Sequence, residues 1–255
     1  MSERPDESAA VPCVVIGGGE EDKIPALVTE YSIKSRCPVD VDVVQTFDKD
    51  RPMMLVHRNP TLFSLVRWWI PELRDFQGRA IYLDSDMVVL DDIRKLFHTP
   101  MTTRAVLRTP DPSVMLINCE HEGVKHWDAF KIRDQVDANE YTYHTMWGST
   151  NFTALEHLGA LDDVWNHRDT YEKGVTKNLH YTALSRQPWR VGSEHPHERI
   201  WTKDLLAAID EGFIPAEELP ESPFFDNIML MVQRYDQERH ENLKAKINGT
   251  KTQTT

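Results

Sequence analysis

The chain has 255 residues, of which 40% are hydrophobic and 27% charged, and it carries a formal net charge of −12. This length suits one α/β domain, and the acidic balance argues against a nucleic-acid binder, which should show a basic patch, and disfavours an anionic membrane surface. No apolar run approaches the ~20 residues a membrane span needs, and the first residues lack the basic-then-apolar order of a secretory signal.

In chain order, residues 1–10 read as a disordered lead. Val11 to Ile16 is a continuous apolar run ending in Gly17, Gly18 and Gly19, which predicts a buried strand and a tight loop. Lys23 to Ser35 has helical spacing at Ile24, Leu27, Val28 and Tyr31, and Val39 to Val44 predicts a second strand. This β-Gly-α-β opening is typical of a nucleotide-binding α/β half. Leu62 to Trp69 reads as a helix, and residues 80–83 as a strand. Thr103 to Leu107 and Val114 to Cys119 are two further strand candidates. Helices are predicted over Gly123 to Val136, over Asn151 to Gly159 with Gly159 as C-cap, over Trp201 to Glu211, and over Pro223 to about Lys244. Residues 160–200 are loop-rich with a short strand near Asn178 to Thr182, and the tail from Ile247 reads as disordered. One domain is therefore expected over 11–245, with 1–10 and 246–255 disordered. Cys13, Cys37 and Cys119 fit no zinc spacing. Cys13 and Cys119 read as buried small hydrophobes, which points to a reducing cytoplasm.

The chemistry concentrates at residues 79–92. Ile81, Tyr82 and Leu83 lead into Asp84 and Asp86, two acids separated by one residue. In an open α/β sheet, ligands bind outside the carboxyl ends of the strands. Two carboxylates placed there repel unless a cation lies between them. Hard oxygen ligands suit Mg2+ or Mn2+, which commonly carry a substrate diphosphate in their remaining positions. The alternative is a solvated acidic turn. Arg67 interrupts an apolar helix face beside Trp68 and Trp69 and so requires a partner.

Several segments agree with one family. They are Phe63 to Leu73, Ile81 to Ile93 with Leu96 and Phe97, Ser113 to Cys119, Val164 to Asn166, and His180 to Thr182 with Pro188 and Trp189. In order and spacing the chain resembles glycosyltransferases of the GT-A fold, most closely family 8 and family-8-like bacterial enzymes, over about residues 12–190. The resemblance implies an α/β fold with a nucleotide-sugar-binding part at 11–120 and a loop-rich acceptor part at 121–245. It implies a nucleotide-sugar donor (a UDP-sugar above all), Mn2+ or Mg2+, a glycan or small-molecule acceptor, and hexosyl transfer with retention. Asp84 and Asp86 would hold the ion with His180 as third ligand; the alternative for His180 is a core residue bonded to backbone. Arg67 would orient Asp84 or touch the diphosphate. Asn118 would touch donor sugar or acceptor, or end its strand as a plain turn residue. Ile16, Gly17, Ser85, Arg186 and Trp189 are placed with Arg67 on the donor. Trp165, Asn166 and Trp189 line a sugar site or belong to a buried core.

The pattern also departs from the family. No Asp-Gln pair occurs at Met146 to Asn151, Gln187 stands where the family has Lys, and Gly17 to Gly19 replace a base-contacting Asp or Thr. Two other classes compete. Asp84, Asp86 and Val88 fit the start of a haloacid-dehalogenase-type phosphatase with Asp84 as nucleophile, and a non-catalytic sugar-nucleotide-binding module would keep the fold without the chemistry.

Overall fold

The computed structural model describes residues 11–46, 65–138, 140, 153–190 and 195–251. Its centre is a six-stranded mixed sheet. The strands are β1 (Cys13–Gly17), β2 (Asp42–Gln45), β3 (Arg79–Asp84), β5 (Val106–Arg108), β6 (Val114–Asn118) and β7 (Leu158–Ala160), in the order β2-β1-β3-β6-β5-β7. β1 runs parallel to both β2 and β3, whereas β6 is antiparallel to β3 and to β5. All five residues of β1 are buried, as expected for a central parallel strand covered on both faces. A second, three-stranded sheet has the order β4-β9-β8, with β4 at Met87–Val89, β8 at His167–Arg168 and β9 at Asn178–His180.

The helices are α1 (Lys23–Lys34), α2 (Val66–Leu73), α3 (Arg94–Phe97), α4 (Ala129–Asp137), α5 (Glu198–Asp210), α6 (Phe225–Tyr235) and α7 (Gln237–Lys251). α2 covers one sheet face through Val66, Trp68 and Ile70, and Trp68 meets Trp127 edge-on at 4.8 Å. α1 contributes Ile24, Val28 and Tyr31 to a separate core with Trp189, Trp201, α5 and α6. None of the described helices is long and apolar enough to cross a membrane. Cys13, Cys37 and Cys119 are all buried free thiols.

The expected α/β architecture is present, with several corrections. The predicted helix at 151–159 is, over its described part, a short 310 turn at Leu155–His157 followed by β7. Gly159 is a strand residue there, paired with Leu107, and a Cβ on it would collide with the Leu107 side chain. The single terminal helix is two helices broken at Asp236, whose backbone is extended, and the second continues to Lys251 through the expected disordered tail. The expected lead at 1–10 and the region at 146–151 lie outside the described residues.

Candidate metal centre

β3 ends at Asp84, Ser85 and Asp86 form a bend, and β4 starts at Met87. The two acids therefore sit where the chain leaves one sheet and enters the other. α1 grips this bend from behind. The Thr29 hydroxyl lies 2.8 Å from Ser85 O and 2.7 Å from Met87 O, and Val89 N donates to Ser32 Oγ at 2.9 Å. Both helix residues are fully buried. The same bend fixes the carboxyl-terminal half. Met87 pairs with His180, and Tyr181 N donates to Asp86 O at 2.9 Å. Strand pairing thus delivers His180 to two acids almost a hundred residues earlier.

Each of the three side chains is anchored by a neighbour. Asp84 Oδ1 accepts from Tyr82 Oη at 2.6 Å and lies 3.5 Å from Arg67 Nη2. Arg67 is 1% exposed, donates Nη1 to Pro112 O at 2.8 Å, and lies over the Tyr82 ring at 4.6 Å. His180 Nδ1 meets Asn166 Oδ1 at 2.8 Å, while Asn166 Nδ2 donates to Thr109 Oγ1 at 3.1 Å. Asn166 therefore accepts, the proton belongs on Nδ1, and Nε2 is turned toward the acids. Asp86 Oδ2 accepts from Gln187 Nε2 at 2.8 Å. Asp86 Oδ1 is 3.0 Å from His180 Nε2, yet it is buried without a hydrogen bond of good geometry.

One ligand atom from each of Asp84, Asp86 and His180 lies within 4.8 Å of the other two. Ligands about 2.1 Å from a shared Mg2+-type ion stand about 3 to 4 Å apart, so the spacing fits. The electrostatics agree. Burial lifts the Asp84 carboxyl above its ordinary value; Arg67 works against that and Asp86 reinforces it. Burial alone would lower the His180 pKa, but the nearby negative charge of Asp86, then of Asp84, carries it above 6.5. The cluster thus retains protons that a divalent cation would replace, and the orphaned Asp86 Oδ1 is a ligand atom of the kind such an ion needs.

The other expected residues divide. Gly17 O accepts from Ser85 N at 2.9 Å, and a Cβ on Gly17 would fall 2.9 Å from Tyr82 ring carbons. Gly17 and Ser85 therefore adjoin the cluster. Ile16 faces the core. Arg186 is exposed on a 310 turn (Leu184–Arg186), where its charge is felt by His195. Trp189 is fully buried, 5.9 Å from Tyr181 and 5.0 Å from Trp201, which leaves no ring face for a donor. Trp165 is likewise a core residue.

Asn118 must be reassigned. Because β6 runs antiparallel to β3, Asn118 pairs with Arg79 at the far end of the strand from Asp84, and its Oδ1 accepts from Glu120 N. The amino end of β6 is the one beside the acids, where Ser113 O accepts from Asp84 N at 3.2 Å. Sequence reasoning missed Tyr82, Thr29, and the anchoring roles of Asn166 and Gln187. Tyr82 had a signal, since i and i+2 of a strand share a face. Asn166 and Gln187 stood out only as a sugar-site candidate and as a departure from the family Lys, and Thr29 had no signal.

Comparison with known proteins places this fold. No family model matches the chain. Protein CDI of Arabidopsis thaliana is 26% identical over 212 residues, which is 69% of this chain and 78% of that protein. The glycosyltransferase GlyE of Streptococcus pneumoniae TIGR4 superposes with a TM-score of 0.57 at 17% identity, covering 80% of this chain and 63% of GlyE. The galactosyltransferase LgtC, solved with donor and acceptor sugar analogues, gives 0.57 at 12% identity over 76% of this chain and 95% of LgtC. The bifunctional glycosyltransferase WbbM gives 0.58 at 13% identity over 90% of this chain and 53% of WbbM. The chain thus spans less than two thirds of GlyE and of WbbM. The fold is that of the GT-A glycosyltransferases.

Proposed function

We propose that the chain is a metal-dependent glycosyltransferase that moves a hexosyl group from a nucleotide-diphosphate sugar to a glycan or small-molecule acceptor. A UDP-sugar is the favoured donor, Mn2+ or Mg2+ the favoured ion, retention the favoured outcome and the cytoplasm the favoured site of action. The observation that carries the reading is the Asp84–Asp86–His180 cluster with its orphaned Asp86 Oδ1, at the carboxyl ends of parallel β1 and β3. Ligands bind at that end of an open α/β sheet. The GT-A fold and the three buried thiols are consistent with it.

In this reading Asp84, Asp86 and His180 hold the ion, which as a Lewis acid would stabilise charge on the departing diphosphate. Arg67 is a positioning residue: it is buried, and it bonds Asp84 and Pro112 O rather than facing outward. Tyr82 donates its proton to Asp84 Oδ1, and Asn166 keeps His180 Nε2 on the ion's side. Gly17 allows the close approach of β1 to Tyr82, and Ser85 fills the bend between the two acids. Residues 11–120 form the donor part and 121–245 the acceptor part, with His180 and Gln187 reaching back across.

The test is thermal unfolding with UDP or GDP, each in Mn2+ and in EDTA. A ligand at one hundred times its Kd stabilises by about 2.7 kcal/mol, or about 5 to 10 °C for a chain of this size. UDP should give that shift only with Mn2+, and Asp84→Asn should abolish it. Equal shifts in EDTA would remove the metal from the reading. A covalent phosphoryl mimic trapped on Asp84 would replace it with the phosphatase. Donor binding without sugar release to any acceptor or to water would leave a binding module.

A further inference from the structure

The two oxygens of Asp86 have unlike surroundings. Oδ1 faces His180 Nε2 at 3.0 Å without a hydrogen bond of good geometry, whereas Oδ2 is held by Gln187 Nε2 at 2.8 Å. Gln187 is 2% exposed and uses both ends of its amide. Nε2 also donates to Tyr181 O at 2.8 Å, and Oε1 accepts from Arg190 Nε at 2.6 Å. A flipped amide would set its oxygen against two acceptors and its NH2 against a guanidinium, so the network itself fixes which end meets Asp86. Arg190 is held in turn, with Nη2 3.3 Å from Asp22 Oδ1. The contacts form a chain from the amino-terminal glycine loop to one oxygen of one candidate ligand.

We propose that Gln187 is a positioning residue that restricts Asp86 to one-oxygen ligation and thereby sets the ion preference of the cluster. This rests on the metal reading above and deepens it. A carboxylate free to turn can bind through both oxygens, which Ca2+ accepts readily because it takes six to eight ligands at long distances. Mg2+-sized ions demand near-octahedral geometry with short bonds, in which each carboxylate gives one oxygen. With Oδ2 occupied by an amide that is itself held at both ends, Asp86 has only Oδ1 to offer. The cluster then favours Mn2+ and Mg2+ over Ca2+.

The experiment measures Mn2+ affinity by electron paramagnetic resonance of the free ion, and Ca2+ affinity by competition, in the wild-type chain and in Gln187→Met. Methionine keeps the volume and removes both donors. Unfolding in EDTA controls for the fold. Mn2+ affinity should fall about tenfold or more, as for other residues that orient metal ligands, while Ca2+ affinity changes by less than about threefold. Equal losses for both ions, or no change in either, overturn the proposal, since a purely structural role would move them together. Should Gln187→Met fail to fold, Arg190→Met leaves Gln187 in place and frees its amide. It should shift selectivity in the same direction by a smaller factor, and unchanged selectivity overturns the proposal. A wild-type chain that binds no Mn2+ fails at the metal reading itself, a result distinct from bound ions without discrimination.

Discussion

His180 ties two opposite pH dependences to one imidazole. Its pKa is raised above 6.5 despite burial, chiefly by Asp86 and then Asp84. Without metal, the imidazolium–carboxylate contact adds stability that is fully present below the unfolded value near 6.5 and is lost as pH rises through the raised folded value. With metal the sign reverses, because only neutral imidazole ligates and each proton must first leave. In EDTA, the stability advantage of the wild type over His180→Ala should therefore shrink as pH climbs past 6.5 and through the raised folded value. With Mn2+ the advantage should grow over the same range. Urea unfolding at several pH values reads both trends, and parallel trends would make His180 a core residue. At a single pH, His180→Ala should stay folded and bind Mn2+-nucleotide at least about tenfold less tightly. Asp84 and Asp86 were legible because a strand-type run ends in two acids, and His180 because a short late strand carries it. Asn118 was misplaced for a physical reason: in a mixed sheet the carboxyl end of an antiparallel strand lies at the opposite edge from the ligands, and no local pattern in Val114–Asn118 encodes direction.

The element that makes the site is the β3–β4 bend clamped by α1. Thr29 and Ser32 bond the backbone on both sides of Asp86, and Gly17 lets β1 approach Tyr82. A methyl on Gly17 would displace the Tyr82 ring, which holds Asp84 Oδ1. Gly17→Ala should therefore weaken Mn2+ binding more than its stability cost of about 1 to 3 kcal/mol implies. Metal titration beside urea unfolding checks this, and a variant that loses stability yet binds Mn2+ normally would clear Gly17 of any role at the site. Long elements with strong periodicity, β1, α1, β3 and α5, stand close to where the apolar pattern puts them. The misses have common causes. Gly159 looks like a helix cap, yet it serves a close strand contact with Leu107, and that partner is fifty residues away. The break between α6 and α7 falls at Asp236, where neither Gly nor Pro marks it. β4 and β8 are too short to carry a period, and they exist through pairing with β9.

Across the whole molecule the net charge is −12, and each buried acid near the cluster carries a cost. Asp22 shows it: burial raises its carboxyl from 3.8 to about 6, with Arg190 opposing and Glu21 and Asp86 reinforcing. The native state keeps that proton longer than the unfolded chain, so stability falls as pH rises between the two values. Asp22→Asn should match the wild type near pH about 4 and exceed it by about 1 to 3 kcal/mol at neutral pH. Urea unfolding at the two pH values decides, and a variant less stable at neutral pH would show that the Arg190 contact outweighs desolvation. The same layout predicts how donor binding spreads. The cluster draws Asp84 from the six-stranded sheet, Asp86 from the bend that leads into the smaller sheet, and His180 from β9 of that sheet. Gln187 extends that connection to the segment packed on α5 through Trp189 and Trp201. Mn2+ with UDP should thus slow amide hydrogen exchange at β3, at β9 and around Gln187 together, although they are a hundred residues apart, because each must hold its place for the three ligands to meet. Mn2+ alone should protect the same segments to a smaller degree, and UDP in EDTA should protect neither. Protection confined to β1 and β3 would mean that the ion is held by Asp84 and Asp86 without His180, and the smaller sheet would then have no part in donor binding.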